Sequence, residues 1–430
     1  MSCKDSLRKG QLQKAPEKVI VAPDSFKGSL TAVQVADIIA DVVHELYPHC
    51  EVVKLPLADG GEGSIDAILS AHNAASKAGN KNDNGSNNAD NSSSDSNNSD
   101  STSSIHSVHV LSPDEQLIDA KFGIIHTSQG KSAVLEVAQS NGITRQAGLH
   151  PMTSSTYGFG QLILAALNKG ARDFTLCIGG SASTDGGCGM AAALGVRFLN
   201  ADGKHFVPSG ETLSQIASID TSAIDSRIAQ SKFTVLCDVS NPLFGLDGAA
   251  HVYASQKGAN PAQVEVLDAG LRHLSTAITA TTIIDDSNYA DLPGAGAAGG
   301  LGFGSMVFLQ AELVSGIEAI LELCKFKEHL QGTELIITGE GKLDPQSFSG
   351  KALSGILKAS GEVPTVSICG SSDCDEQYLS KHGLRAYTIS KHFSLEESLR
   401  NPESCLKVTT SKALTSLCSK RHTHGSNSLK

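Results

Sequence analysis

The sequence predicts an α/β protein built on parallel strands, and three observations carry that expectation. Short runs of strand-forming apolar residues alternate with longer segments whose apolar residues recur at helical spacing. Six strand candidates end in loops of Asp, Glu, Lys, Ser or Gly, and in open parallel α/β sheets ligands bind outside the carboxyl ends of the strands. One stretch, Asp173 to Val196, shows the unit most plainly: the apolar run Phe174 to Ile178, a loop with Gly179, Gly180, Gly186, Gly187 and Gly189, then an Ala/Leu-rich helix from Met190. Glycines without a Cβ let backbone N–H groups approach an anion at the start of the following helix. Asp185 is the one charged side chain in this loop, so it is a candidate to act on a bound group or to hold a cation beside it.

Composition excludes several classes. The chain has 430 residues, 40% hydrophobic and 18% charged, which suits a soluble globular protein with two sizeable cores. A formal net charge of −11 argues against a nucleic-acid or anionic-membrane surface and leaves small anions as partners. No apolar run approaches the ~20 residues that span a bilayer, and the N-terminus MSCKDSLRKGQLQK has no apolar signal core, so a cytoplasmic location is expected. The ten cysteines are scattered without a C-x-x-C pair and point to neither disulfides nor zinc.

In chain order, residues 1 to 18 read as a loose tail. The strand Val19 to Ala22 ends in Pro23-Asp24-Ser25-Phe26-Lys27-Gly28. Thr31 and Gln34 make a capping box for a helix whose Val35, Ile38, Ile39, Val42 and Val43 share one face through Leu46. The strand Val52 to Leu55 runs into Ala58-Asp59-Gly60-Gly61-Glu62-Gly63 and a helix from Ser64. Residues 73 to 104 are Asn, Ser, Asp and Gly with almost no apolar residue, which predicts a disordered insertion. Structure resumes with the strand His106 to Leu111 and a hairpin from Phe122 to Val137; Gly130-Lys131-Ser132 lacks the upstream glycine and following helix of a Walker A loop. A helix from Gly160 to Asn168 precedes the central stretch. The strand Phe233 to Cys237 ends in Asp238-Val239-Ser240-Asn241-Pro242.

Gly294, Gly296 and Gly299 form a formal G-x-G-x-x-G, but a polar turn-rich segment precedes it rather than a strand, which disfavours a dinucleotide oxidoreductase. A helix is expected from Met306 through Leu321, then the strand Leu335 to Thr338 leading to Gly339-Glu340-Gly341-Lys342-Leu343-Asp344. A final strand runs from Thr365 to Cys369, and residues 401 to 430 read as a frayed tail. Compositional breaks at the Asn/Ser tract and at the Asp-rich turn before Pro293 divide the chain into a first domain of residues 19–72 and 293–400 and an inserted domain of residues 105–291.

The chemistry of these loops suits phosphoryl transfer: glycine backbones cradle phosphates, acids hold Mg²⁺, Lys27 neutralises charge, and a carboxylate accepts a hydroxyl proton. Nucleophilic hydrolysis is less well supported, since there is no G-x-S-x-G elbow and no His in the glycine loops. Together Ala22 to Lys27, Ala58 to Gly63, Gly179 to Gly187, Cys237 to Pro242, Pro293 to Gly302 and Thr338 to Gly341 resemble the glycerate kinase type 1 family, in family order from about Val19 to Ser372. Thr184 stands where the family usually has Asn, and Lys342 where it usually has Arg.

The resemblance implies ATP-dependent phosphorylation of D-glycerate, usually at the 2-hydroxyl. It also implies two α/β domains, the second inserted into a Rossmann-like or flavodoxin-like first domain, with the active site in the cleft between them. Asp185 is the expected general base, with Asp24, Asp59 and Asp238 as rivals; Lys27 holds an anion and Asp24 orients it. Ser25, Gly60, Gly61, Gly179, Gly180, Ser181, Asp238, Asn241, Gly294, Gly296, Gly299, Gly339, Gly341 and Lys342 are the candidate phosphate or substrate contacts, and Asp59, Glu62, Glu340 and Asp344 the candidate Mg²⁺ ligands. Phosphorylation at the 3-hydroxyl, a NAD-dependent oxidoreductase and a non-enzymatic sugar-acid sensor remain the alternatives, and the chain works alone or as a homodimer.

Overall fold

The computed structural model describes residues 14–58, 60–79, 103–281, 288–348 and 352–418. In chain order the elements are β1 (Lys18–Val21), α1 (Ala32–Leu46), β2 (Glu51–Lys54), α2 (Ser64–Gly79), β3 (Ser103–Leu111), β4 (Leu117–Thr127), β5 (Gly130–Glu136), α3 (Tyr157–Asn168), β6 (Ala171–Cys177), α4 (Cys188–Ala193), β7 (Arg197–Leu199), β8 (His205–Phe206), β9 (Ser218–Asp220) and β10 (Lys232–Leu236). They continue with α5 (Pro261–Thr279), α6 (Ala297–Leu309), β11 (Glu312–Val314), α7 (Gly316–Leu323), β12 (Leu335–Thr338), β13 (Lys342–Leu343), α8 (Ala352–Ala359), β14 (Thr365–Cys369), β15 (Ser371–Ser372), β16 (Leu384–Thr388) and α9 (Pro402–Cys418). The chain divides into two compact units, Met1–Leu57 with Leu321–Lys430, and Ala58–Ile320.

The first unit is a five-stranded sheet in the order β16-β14-β12-β1-β2, with every neighbouring pair parallel. Numbered within the unit, this is 2-1-3-4-5, the flavodoxin-like order, and the chain reverses its winding between β1 and β12. The sequence dictates why β12 is central: Leu335, Ile336, Ile337 and Thr338 are all buried, as a strand covered on both faces requires. The capping box forms as expected, Thr31 Oγ1 accepting from Gln34 N at 3.2 Å and Gln34 Oε1 from Thr31 N at 2.9 Å. The apolar face of α1 is buried along Val35, Ile38, Ile39, Val42 and Val43.

The second unit holds a six-stranded sheet in the order β11-β10-β6-β5-β4-β3. Its first four strands are mutually parallel, and β5-β4-β3 is an antiparallel meander. The expected hairpin is present with Thr127 opposite Gly130. On β6 and β10, Phe174 and Phe233 occupy paired positions and stack at 4.7 Å, which pins the register of the two strands whose loops matter below.

Several expectations need correction. The tail after residue 400 is not frayed as far as it is described: α9 buries Cys405, Leu406, Thr409, Thr410, Ala413, Leu414 and Leu417 and joins the core of the first unit with Val35, Ile39 and Val43. Its Ser/Thr/Lys composition hid a helical stripe, because Thr at a buried position satisfies its hydroxyl on the carbonyl four residues back, as Thr409 does on Cys405 and Thr410 on Leu406. The helix expected from Met306 to Leu321 is two helices, separated where Gln310 takes a left-handed conformation (φ 54) and the chain enters β11. A further strand, β16, follows the one expected to be last.

The insertion expected at residues 73 to 104 is narrower, since α2 runs to Gly79 and β3 starts at Ser103; residues 80–102 lie outside the described residues. The division of the chain also falls elsewhere. Residues 58–72 and 293–320 group with the second unit, because the loop after residue 58 packs on β6 and β10, and β11 completes their sheet. Among the described residues no helix is long and apolar enough to cross a membrane.

If α9 is part of the core, Leu414→Ala, which empties a fully buried position, should cost about 2–5 kcal/mol. Urea unfolding followed by circular dichroism checks this; a midpoint unchanged from the parent would mean the helix is not part of the cooperative fold.

Candidate active site

In the first unit the reversal of strand order between β1 and β12 leaves a crevice outside their carboxyl ends, where ligands of such sheets bind. The loops that follow the two strands are joined there: Ala22 N donates to Ile337 O and Asp24 N to Gly339 O, each at 2.8 Å. Asp24 Oδ1 accepts from Ser25 N at 2.6 Å, which fixes the carboxylate against its own loop. Phe26 is buried as an anchor while Lys27 next to it is exposed, and Gly28 makes the turn at φ 80. Gly339 must lack a side chain, since a Cβ there would sit 2.3 Å from Ile368 O.

The carboxylates of Glu340 and Asp344 are both held by Ser347: its Oγ donates to Glu340 Oε2 at 2.9 Å, and Asp344 Oδ1 accepts from Ser347 N at 3.1 Å and Gln346 N at 2.9 Å. Lys342 pairs with Asp373 at 2.8 Å, which pushes its pKa up; both side chains are more than half exposed, so the pair adds little to stability. The structure therefore gathers Asp24, Ser25, Lys27, Gly339, Glu340, Gly341, Lys342 and Asp344 on two adjoining loops.

In the second unit the loop bearing Gly60 and Gly61 lies against the loop after β6. Gly179 N donates to Gly60 O at 3.0 Å, and a Cβ on Gly179 would come within 2.9 Å of Gly61 Cα, so glycine at 179 is a condition of the contact. Glu62 is exposed, and Asp59 lies outside the described residues. The start of α2 is occupied by a protein carboxylate: buried Glu136 accepts from Ile65 N at 2.5 Å, and burial pushes its pKa up. That leaves this helix terminus already paired.

Asp185, the expected general base, has no exposed surface. Its Oδ2 accepts from Thr156 N at 2.8 Å, Thr156 Oγ1 at 2.8 Å and Gly189 N at 3.2 Å, and its Oδ1 from Gly187 N at 3.2 Å. Three donors thus converge on Oδ2 and one on Oδ1, and the carboxylate has no solvent-facing surface from which to meet a substrate hydroxyl. Burial pushes its pKa up, with the four donors opposing. In this structure the carboxylate serves its own loop, as a charged residue among glycines can.

Other candidates also hold neighbouring segments, although Asp238 does so from an exposed position. Asp238 Oδ1 accepts from Gly316 N at 2.8 Å and Ser315 Oγ at 3.2 Å, capping α7. Asn241 donates to Asp247 O at 2.8 Å and accepts from Tyr253 Oη at 2.6 Å. Gly294, Gly296 and Gly299 are buried; added Cβ atoms would meet Leu313 at 2.8 Å, Pro242 O at 2.2 Å and Ser183 O at 2.1 Å respectively. The GAGAAG run is thus a close-packing device, which removes the one feature that had suggested a dinucleotide.

Sequence reasoning missed Lys257. It is 3% exposed, and its Nζ donates to Ser181 Oγ at 3.1 Å and Ser183 O at 2.6 Å. Lysine is almost never this buried without a reason, yet nothing in the local sequence Ser255-Gln256-Lys257-Gly258 separates it from a surface lysine.

Parallel α/β sheets ending in glycine- and carboxylate-bearing loops define an α/β enzyme, and comparison with known proteins gives its class as a kinase. Residues 19–92 and 94–418 match the model of the glycerate kinase family, and the chain belongs to that family. It is 36% identical over 395 residues to a glycerate kinase of Halalkalibacterium halodurans, covering 90% of this chain and 95% of that protein. A glycerate 2-kinase of Escherichia coli K12 is 34% identical over 389 residues, covering 89% and 93%. A crystal structure from Salmonella typhimurium LT2, described provisionally as glycerate kinase 2, superposes with a TM-score of 0.75 at 34% identity, covering 94% of this chain and 98% of that one.

Because Asp185 serves the loop, Asp185→Asn should act on stability first. The amide can face its oxygen to the three donors on one side, but its NH₂ then meets Gly187 N–H, a loss of about 1–3 kcal/mol. Thermal melting of the variant should show it; an unchanged melting temperature with abolished turnover would restore Asp185 as the base.

Proposed function

We propose that this protein transfers the γ-phosphoryl group of ATP to the 2-hydroxyl of D-glycerate. The observation that supports this reading is the joining of the β1 and β12 loops, Asp24 N to Gly339 O, which sets an acid and a lysine beside a pair of carboxylates at the reversal of strand order. Family membership supports glycerate as the substrate, and a relative named glycerate 2-kinase supports the 2-hydroxyl.

The roles follow from chemistry. Asp24 is the candidate to accept the hydroxyl proton: it is half-buried at the end of β1, on the loop joined to Gly339 at the reversal of strand order, whereas Asp185 is fully buried and Asp238 caps α7. Lys27, exposed on the adjacent turn, holds an anionic group as a point charge. Backbone N–H groups at Gly60, Gly61 and Gly180 and the hydroxyls of Ser25 and Ser181 are candidate donors to phosphate or carboxylate oxygens.

Mg²⁺ takes one or two carboxylates plus substrate phosphates. Glu340 and Asp344, both held by Ser347, fit that donor set and would hold it; the ion would neutralise phosphate charge. Among the described residues there is no group of three or more His, Cys, Asp or Glu placed for a metal, so substrate oxygens would have to complete the shell.

The purified chain should form ADP from ATP only when D-glycerate is present. A phosphorus–proton correlation of the product should couple phosphorus to the single methine proton; coupling to the methylene would place the phosphate on the 3-hydroxyl and overturn the position. Asp24→Asn should lower turnover ~10²- to 10⁴-fold with KM changed little, the range of a lost general base. Lys27→Ala should both lower turnover and raise KM for ATP or glycerate, because an anion-holding lysine also contributes to ground-state binding. Turnover within a few-fold of the parent in Asp24→Asn would exclude Asp24 as the base.

A further inference from the structure

Lys257 ends the helical segment from Ala250 and is followed by Gly258, left-handed at φ 98 and packed so closely that a Cβ would lie 2.6 Å from Leu149 Cβ. The backbone thus drives the side chain inward to the loop after β6. An ammonium has three donors and no acceptor. Its contact with Ser181 at 3.1 Å therefore has one direction: Nζ donates, Ser181 Oγ accepts, and the hydroxyl hydrogen must point elsewhere.

Among the described residues the Ser181 hydroxyl donates to no protein acceptor, while Ser183 is held on both sides, its carbonyl by Lys257 and its hydroxyl by Asn141 Nδ2 at 2.9 Å. Ser181 directly follows exposed Gly180, beyond the carboxyl end of β6. A neutral amine could instead accept from Ser181 and turn the hydroxyl inward. The protonation of Lys257 thus decides which way the serine faces.

We propose that Lys257 is a positioning residue for the transfer reaction: its ammonium commits the Ser181 hydroxyl to donate to an oxyanion of the bound substrate, either the glycerate carboxylate or a phosphate oxygen of ATP. The inference rests on the kinase reading above. Burying a charge is costly, and a hydrophobic residue of similar volume would often be neutral or better for stability. Burial lowers the pKa of Lys257 to about 8, opposed by the negative charge of Asp185, the charged group whose field acts on it. Folding therefore opposes protonation. The unfolded chain holds more protons between about pH 8 and the ordinary lysine value, so this group makes the fold less stable below that window than above it.

The test compares the parent, Ser181→Ala, Lys257→Met and the double variant in the full chain, measuring kcat and both KM values from pH 6.5 to 9.5. Ser181→Ala and Lys257→Met should each raise KM for the same substrate about ten-fold or more at pH 7, the effect of losing a hydrogen bond to a charged group. A rise in KM for glycerate assigns the carboxylate, and a rise for ATP assigns a phosphate. The double variant should be no worse than the worse single one. In the parent that KM should climb above about pH 8, and in Ser181→Ala it should not. Lys257→Met should melt at pH 7 no lower than the parent by more than a few degrees, with its advantage shrinking as pH rises.

Additive effects in the double variant, or a KM step retained in Ser181→Ala, would overturn the inference while leaving the kinase intact. If Lys257→Met does not fold, the pH profiles of the parent and Ser181→Ala still decide. A parent that makes no ADP with D-glycerate would overturn the kinase reading and this inference with it.

Discussion

The Asp185 carboxylate is the constraint on which the second unit turns. Its four donors come from two places in the chain, Thr156 at the start of α3 and the Gly187 and Gly189 backbone at the start of α4. Thr156 Oγ1 passes the connection on by accepting from Met190 N at 2.8 Å. Gly189 has to be glycine, because a Cβ would lie 2.9 Å from Asp185 Oδ2 and 2.2 Å from Ser155 Oγ. Gly186 and Gly187 are closed in by Leu274 of α5 and Gly304 of α6, at 2.3 and 3.1 Å from their would-be Cβ atoms. One fixed charge and three missing side chains thus hold four helices and one loop in register.

That knot has a functional consequence on its other side. A loop so firmly held at residues 183–189 leaves its first residues, Gly179 to Ser181, as a short rigid rim against Gly60 and Gly61. Rigid donors suit phosphoryl transfer, where catalysis is mostly positioning and charge stabilisation and mobile donors would have to be ordered at each turnover. The first unit reaches the same end by another route. There the parallel strands themselves carry the loops, and the hydrogen bond from Asp24 N to Gly339 O joins them across the point where strand order reverses.

Magnitudes decide which polar contacts matter to the fold. Surface pairs such as Lys342 with Asp373, both more than half exposed, contribute little to the fold. Buried Asp185, Glu136 and Lys257 are different, since each is desolvated and depends on its hydrogen bonds to be tolerated at all. Asp185 and Glu136 serve backbone N–H groups at helix starts and so have structural work. Lys257 satisfies one carbonyl and one hydroxyl, a small return for burying an ammonium, which is why its use is sought in the chemistry.

How much was legible follows from the range of each interaction. The capping box at Thr31 and Gln34, the buried run Leu335 to Thr338 and the hairpin around Gly130 are fixed by neighbours within a few residues, so the sequence alone determined them, along with the α/β class and the loops at strand ends. Motifs likewise carried the family, since the glycine and acid positions stand in order along the chain. What a side chain in those loops does was decided only by tertiary structure. Asp185 and Asp24 look alike in sequence, one acid in a polar loop after a strand, yet the first meets four donors from segments up to 29 residues away and the second keeps part of its surface. Lys257 became visible only when folding brought it to Ser181, 76 residues earlier in the chain. Burial and partner identity are long-range quantities, and no local pattern of residue types contains them.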